Sequence, residues 1–172
     1  MSGPYLASED SAFLREILRT YSGGIALEIG AGNGGNLMML AKGFKTTVGT
    51  DIVLPEMTDW RASGVDFVIA DGASCVRAGS FDLVAFNPPY LPLEVGDDSS
   101  IEGGAALEVP MKFLREALRA IKRKGRIVML LNDRAPIGEF EAECSRRGFR
   151  LTKVASRHLF FEELLAYEAS EL

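Results

Sequence analysis

The tightest constraint on this chain is Glu28-Ile29-Gly30-Ala31-Gly32-Asn33-Gly34-Gly35, a glycine-dense stretch at the end of the apolar run 25–29. Glycine adopts backbone conformations closed to other residues and carries no Cβ. A chain leaving a strand through such a stretch can turn sharply and admit a ligand against its backbone. Residues 36–42 then have helical spacing, so the unit reads as strand, tight loop, helix. Gly30, Gly32 and Gly35 satisfy GxGxxG, and Asp51 follows about 20 residues on, where a dinucleotide site places its ribose acid. A nucleotide-like cofactor is the natural occupant. The motif alone does not separate a nicotinamide from S-adenosylmethionine.

The same unit recurs along the chain. Strands are predicted at 46–50, ending at Asp51, at 65–70, ending at Asp71, and at 81–86, running into Asn87, Pro88, Pro89 and Tyr90. A short helix is predicted between the first two, at 56–62. Before the glycine loop, Phe13, Leu14, Ile17, Leu18 and Tyr21 recur at helical spacing over 8–21, with Ser8 as cap and Glu9 and Asp10 at the positive end of the helix dipole. Residues 91–103 carry prolines, Gly96, Asp and Ser without a period, and read as a mobile substrate-side loop. Pro110 suits the first turn of a helix reaching Lys122, with Phe113, Leu114, Ala117, Leu118 and Ile121 inward and Gly125 as its stop. In that reading Lys122, Arg123 and Lys124 complement the negative end of the helix dipole. A strand at 126–131, a helix at 136–147 and two extended segments, 149–157 and 158–168, complete the chain, the last two as a hairpin. The expectation is one α/β domain over 1–172. Its sheet is Rossmann-like, seven-stranded and mostly parallel, with helices on both faces and a C-terminal antiparallel hairpin. Residues 1–21 would cap the cofactor site.

The chemistry-bearing residues stand at strand ends. Asp51 can accept from two ribose hydroxyls, and Asp71 from an adenine amino group. Either alone is an ordinary turn former; their placement after successive strands beside the glycine loop makes them a pair. The two prolines after Asn87 fix φ, remove two N–H donors and push Asn87 toward an extended backbone. The Asn87 side-chain oxygen and the Pro88 carbonyl can then each accept one N–H of a planar NH2 group, while Tyr90 stacks on it or lines its channel. An amide or exocyclic amine is a poor nucleophile because its lone pair is delocalised. Holding both hydrogens and aligning the nitrogen with an electrophilic methyl is what its methylation requires.

Composition narrows the alternatives. With 19 Lys and Arg against 24 Asp and Glu the net charge is −5, opposite to a nucleic-acid binder, so strong nucleic-acid binding is not expected. His158 is the sole histidine, and Cys75 and Cys144 form no CxxC, which removes histidine triads, multi-histidine zinc sites and a disulfide framework. No metal site is expected. Neither a basic leader with an apolar core nor a run of about 18 apolar residues occurs, so a cytoplasmic protein without membrane contact is expected.

Through Leu27-Glu28-Ile29-Gly30-Ala31-Gly32-Asn33-Gly34 and Phe86-Asn87-Pro88-Pro89-Tyr90, the chain resembles the HemK/PrmC family of class I S-adenosylmethionine-dependent protein glutamine methyltransferases. It is nearest the short archaeal and eukaryotic branch, with no N-terminal helical domain. Residues 5–11, YLASEDS, resemble that branch's YxPxEDT segment, and Gly103-Gly104 with Glu108-Val109 its GG...EV segment. Ala7 stands where the branch has proline, and Ser11 where it has threonine. The resemblance implies that Ser11, Glu28, Gly30, Gly32, Asp51, Asp71, Gly72 and Asn87 contact S-adenosyl-L-methionine, whose product is S-adenosyl-L-homocysteine (SAH). It implies that Asn87, Pro88, Pro89 and Tyr90 hold the glutamine of the GGQ motif in a class-1 translation release factor.

In this fold, as the resemblance implies, the strand at 65–70 is an edge. Val65, Phe67 and Ile69 face one way and Val68 and Ala70 the other, and an edge that is apolar on both faces needs cover. Another chain is expected to pair there; members of the short branch bind a small zinc-binding activator protein. Competing readings are an N6-adenine methyltransferase on DNA or RNA, which shares the Asn-Pro-Pro-Tyr chemistry, and a protein lysine methyltransferase, for which no base is evident. A cofactor-binding scaffold and a nicotinamide oxidoreductase are the remaining alternatives.

Overall fold

In a computed structural model, described for residues 7–53, 64–89, 99–160 and 162–172, the chain runs α1 (Ala7–Leu18), β1 (Gly23–Ile29), α2 (Gly35–Leu40), β2 (Phe44–Asp51), β3 (Val65–Ile69), β4 (Phe81–Phe86), α3 (Ser99–Ala120), β5 (Ile121–Asn132), α4 (Ile137–Arg146), β6 (Phe149–His158) and β7 (Glu163–Glu171). The strands form one sheet in the order β3-β2-β1-β4-β5-β7-β6. Its first five are parallel, and β7 pairs antiparallel with both β5 and β6. The α/β architecture read from the alternating pattern is the one observed.

Strand side chains alternate between the two faces, so one strand supplies two cores. Leu27 and Ile29 of β1, Val84 and Phe86 of β4, and Ile127 and Met129 of β5 pack under Leu114, Ala117 and Leu118 of α3 and Phe140 of α4. On the other face Ala26, Leu83, Ala85, Val128 and Leu130 meet Phe13, Leu14 and Leu18 of α1 and Leu40 of α2. Helices therefore cover both faces. The apolar spacing of α1 and α3 names the residues that do so. Among the described residues no helix is long and apolar enough to cross a membrane.

Several boundaries differ from expectation, each for a physical reason. Ser8 is not a cap, because α1 already includes Ala7; the helix also ends at Leu18, short of Tyr21. Glu9 and Asp10 do lie in its first turn. The helix expected to start at Pro110 begins at Ser99, with Pro110 inside it. Gly103, Gly104 and Pro110 are poor formers that mask the turn they occupy, and the apolar period starts only beyond them. Residues 99–103 are thus helical; 91–98 of the expected loop and the helix expected at 56–62 lie outside the described residues.

Nor does α3 reach Lys122. It ends at Ala120, and Lys122, Arg123 and Lys124 lie in β5, so they do not complement a helix terminus. Ile121 pairs with Phe81 and Arg126 with Leu83, leaving residues 122–125 as a bulge. Lys122 Nζ closes it by meeting Asp82 Oδ1 at 2.6 Å. Gly125 is the bulge residue that lies over Ile121, where a Cβ would come 2.7 Å from Ile121 Cδ1. It serves the strand, not the end of a helix.

Candidate active site

Parallel pairing brings the carboxyl ends of β1 to β4 to one edge of the sheet: Ile29 sits beside both Thr50 and Phe86, and Asp51 beside Ile69. Open α/β sheets bind ligands at this edge. A cleft of about 550 Å³ opens there, within the range of cofactor sites. Gly30, Asp51, Asp71, Gly72, Asn87, Pro88 and Pro89 converge on it from four strand ends. Ser11, Glu28 and Gly32 do not line it. Tyr90 lies outside the described residues.

The glycine loop turns as its composition predicts. Gly30, Gly32 and Gly34 have φ of 71°, 52° and 74°, and the Gly30 and Ala31 amides both donate to the Thr50 carbonyl, at 2.8 and 3.0 Å. At Gly30 a Cβ would be strained by that φ and would press on the Phe113 ring at 3.3 Å. Gly32 N–H donates to Asp51 Oδ2 at 2.8 Å and Val53 N–H to Oδ1 at 3.2 Å. Asp51 thus braces the loop, and each oxygen keeps a lone pair for a ribose hydroxyl.

Beneath the loop Glu28 is 3% exposed. The Asn36 amide donates to its Oε1 at 2.8 Å, while Oε2 has no partner among the described residues. Burial pushes its carboxyl up to about 8, against the opposing pull of the Asn36 hydrogen bond and of Arg15. Sequence reading missed Asn36. Its signal is a polar residue on the buried face of α2, in line with Leu37 and Leu40.

At the other end of the cleft Asp71 is exposed and pairs with Lys112 Nζ at 2.6 Å. The turn behind it is wired to α3: Arg119 donates to the carbonyls of Val76 at 2.8 Å and Ala73 at 2.5 Å, and Ala73 N–H donates to Glu116. Gly72, at φ 73°, passes so close to the Glu116 carboxylate that a Cβ would not fit.

Asn87 leaves β4 between these two halves. Its side-chain amide faces the Asp10 carboxylate and lowers that group's pKa, as a donor does, while its Oδ1, buried, has no partner among the described residues. Pro88 behind it is buried, and Phe86 packs edge-on against Phe113 with ring centroids 6.0 Å apart. Asp10 lines the cleft from α1; burial, then the charge of Glu162, holds its carboxyl above the ordinary 3.8. Its functional signal in the sequence was hidden by the equally good reading of a first-turn acid. Two buried acceptors, Glu28 Oε2 and Asn87 Oδ1, with a glycine-rich loop whose backbone a ligand can approach, suit a polar nucleoside-bearing cofactor and a substrate NH2 group.

No family model matches the chain. A provisionally named protein N5-glutamine methyltransferase of Methanocaldococcus jannaschii is 29% identical, over 98% of this chain and 92% of its own length. The E. cuniculi Mtq2-Trm112 complex, described as responsible for methylation of the eRF1 translation termination factor, matches with a TM-score of 0.73 and 26% identity over 99% of this chain and 98% of the other. A Streptococcus mutans methyltransferase-fold protein in complex with SAH matches over 100% of both chains with a TM-score of 0.63; at 16% identity it speaks to the fold. With the Asn-Pro-Pro segment at the mouth of a glycine-loop cleft, the chain is an enzyme of the class I methyltransferase fold, similar in sequence and structure to protein N5-glutamine methyltransferases.

Proposed function

We propose that this chain methylates the side-chain amide nitrogen of the GGQ glutamine in a class-1 translation release factor, using S-adenosyl-L-methionine in the cytoplasm. The observation that carries the reading is Asn87, which lines the cleft with a buried side-chain oxygen that has no partner among the described residues and is left to accept from an incoming NH2. The relative from E. cuniculi, with its stated action on a termination factor, supports the substrate class.

S-adenosyl-L-methionine supplies an electrophilic methyl on a sulfonium sulfur and leaves as SAH. Asp51 would hold its ribose, Asp71 and Gly72 its adenine, and the Gly30 turn its amino-acid portion, with Glu28, Gly32 and Ser11 supporting from around the cleft. Glu28 Oε2, buried without a partner among the described residues, would accept from an ammonium group once the carboxyl ionises. Asn87 Oδ1 and the Pro88 carbonyl would fix both amide hydrogens, turning the nitrogen lone pair toward the methyl carbon. Pro88 and Pro89 keep that backbone from relaxing, and Tyr90 would flank the amide.

A small zinc-binding partner would pair with β3. That strand is the sheet edge, Ile69 on it is 62% exposed, and Ile52 and Val53 extend the exposed apolar surface from the end of β2. Such an edge is a template for another chain.

The test is transfer of labelled methyl to an intact release factor, with its GGQ glutamine present or replaced, with and without the partner. Label requiring both the glutamine and Asn87 is expected, and Asn87→Ala should cost about 100-fold or more. Label on lysine, or on added nucleic acid, would overturn the substrate assignment.

A further inference from the structure

We propose that Arg15 is a positioning residue for the amino-acid end of the cofactor: its guanidinium, laid across Gly35 at the end of the glycine loop, is the counter-charge that holds Glu28 as the carboxylate an incoming ammonium needs. The inference rests on the reading of S-adenosyl-L-methionine as cofactor and adds the residue that tells it from a nucleoside without the amino acid.

The placement of Arg15 explains a glycine that the turn does not. Gly30, Gly32 and Gly34 each take a positive φ, which accounts for their lack of a side chain. Gly35 does not; it opens α2, where other residues fit the backbone equally well. What fills the space is Arg15: a Cβ at Gly35 would stand 2.5 Å from Arg15 Nη2 and 3.2 Å from its Cζ. Arg15 lies in the last turn of α1, where a cation reads as a partner for the helix dipole, and that reading hides it in the sequence.

Around Arg15 the polar groups are left open. Arg15 Nε and Glu28 Oε2 are both buried with no hydrogen-bond partner among the described residues. The acid next to Arg15 in sequence, Glu16, is taken by Arg157 at 2.5 Å. Glu28 shares a face of β1 with Ala26, the face that α1 and α2 cover, which is why helix residues meet it. The groups that act on its carboxyl are the Asn36 side chain and the Leu37 backbone from α2, Arg15 from α1 and Asp51 from the end of β2. Of these Arg15 carries the positive charge. Burial and Asp51 oppose it, so without Arg15 only hydrogen bonds would offset them.

An α-amino-acid end is a zwitterion and brings no net charge, but its ammonium needs a carboxylate and not a carboxylic acid. Below about 8 the empty site keeps a proton on Glu28. Binding then sends that proton to solvent, and the attraction between Arg15 and the new carboxylate is gained with the ligand. Above that value the attraction is already present in the empty site and adds nothing to binding. A nucleoside with no ammonium leaves Glu28 protonated and gains nothing from Arg15.

The test is calorimetric titration of SAH, and of methylthioadenosine, a nucleoside thioether without the amino-acid end, from about pH 6 to 10. The proteins are wild type, Arg15→Met, Arg15→Lys, Glu28→Gln and the double variant Arg15→Met with Glu28→Gln. At neutral pH Arg15→Met should weaken SAH about tenfold, the equivalent of one pKa unit on Glu28, and Arg15→Lys should recover most of it. The gap should close toward the alkaline end, while methylthioadenosine stays within about twofold of wild type throughout. In the Glu28→Gln background Arg15→Met should cost nothing more. Equal loss of both ligands would make Arg15 a support of the whole loop and overturn the proposal. A gap that holds at high pH, or a loss undiminished in the Glu28→Gln background, overturns it as well. A wild type that binds neither ligand overturns the cofactor reading first, and this proposal with it.

Discussion

The Asn87 side-chain amide faces the Asp10 carboxylate and lowers its pKa, and a carboxylate in that place draws the NH2 end of the amide toward itself and leaves the oxygen for the substrate. An amide free to flip would offer a donor where the reaction needs an acceptor. Asp10→Ala should therefore lower kcat by about 10- to 100-fold, since misorientation of a reacting group is costly, with cofactor affinity held within about twofold. Asp10→Asn keeps an acceptor and should recover part of the loss. Equal kcat in wild type and Asp10→Ala would show that Asn87 holds its orientation alone.

The same contact sets a pH dependence. Asp10 must be ionised to act purely as acceptor, and burial, Glu162 and Glu9 each raise its pKa above the ordinary value. As pH falls, kcat/KM should drop earlier than for a free carboxyl. Glu162→Gln removes one raising cause, so its acid limb should move to lower pH. A limb that stays in place would remove Asp10 as its origin.

At the adenine end the pair between Lys112 and the exposed Asp71 is worth at most about 1 kcal/mol, as surface pairs are. Lys112→Met should leave stability nearly unchanged and cofactor binding equal or slightly tighter, because it frees an acceptor. Asp71→Ala should weaken cofactor binding by about tenfold, the worth of one hydrogen bond to a charged group. Calorimetric titration of both variants checks the pair. Weaker binding in Lys112→Met would mean that the lysine itself touches the cofactor.

Arg119 supplies a contrast, since its two hydrogen bonds go to backbone carbonyls in the turn behind Asp71. Arg119→Ala should cost about 2 kcal/mol of stability, a drop of roughly 4 to 8 °C in melting temperature. Cofactor affinity should fall with it. Lost affinity at full stability would instead point to a direct contact.

What the sequence made legible is local. The glycine loop, the acids at strand ends and the Asn-Pro-Pro segment each follow from one residue's backbone preference and its place after a strand, and those residues do meet in one cleft, with Gly32 just behind it. What it concealed depends on tertiary contact. Asp10 read as a dipole acid because nothing near it in sequence announces Asn87. Glu28 read as a cofactor ligand, but its burial beneath the loop and its bond from Asn36 could not be read from its neighbours in sequence. The start of α3 was hidden by residues that disfavour helix, and the end of α3 by a basic run whose strand pairing is fixed by Asp82. These are cases in which packing overrides propensity.

Glu28 and Asp82 should tilt stability in opposite directions with pH. In the folded chain Glu28 is pushed up to about 8 from an ordinary 4.5, chiefly by burial. Between those values the native protein holds a proton that the unfolded chain has released, so stability falls as pH rises through the window. Asp82 is held below its ordinary 3.8, first by the Lys122 hydrogen bond and then, against desolvation, by the Ile25 amide. Its contribution is present above that value and is lost as pH falls below it. Without cofactor, the melting temperature should peak near pH 4 to 5 as far as these two groups decide it, and decline toward pH 8. Glu28→Gln should flatten the decline, and Asp82→Asn should lower the curve at neutral pH while reducing its acid slope. If Glu28→Gln melts in parallel with wild type from pH 5 to 8, Glu28 is already ionised in the native protein, and an ion partner, with Arg15 the nearest candidate, must be holding its charge.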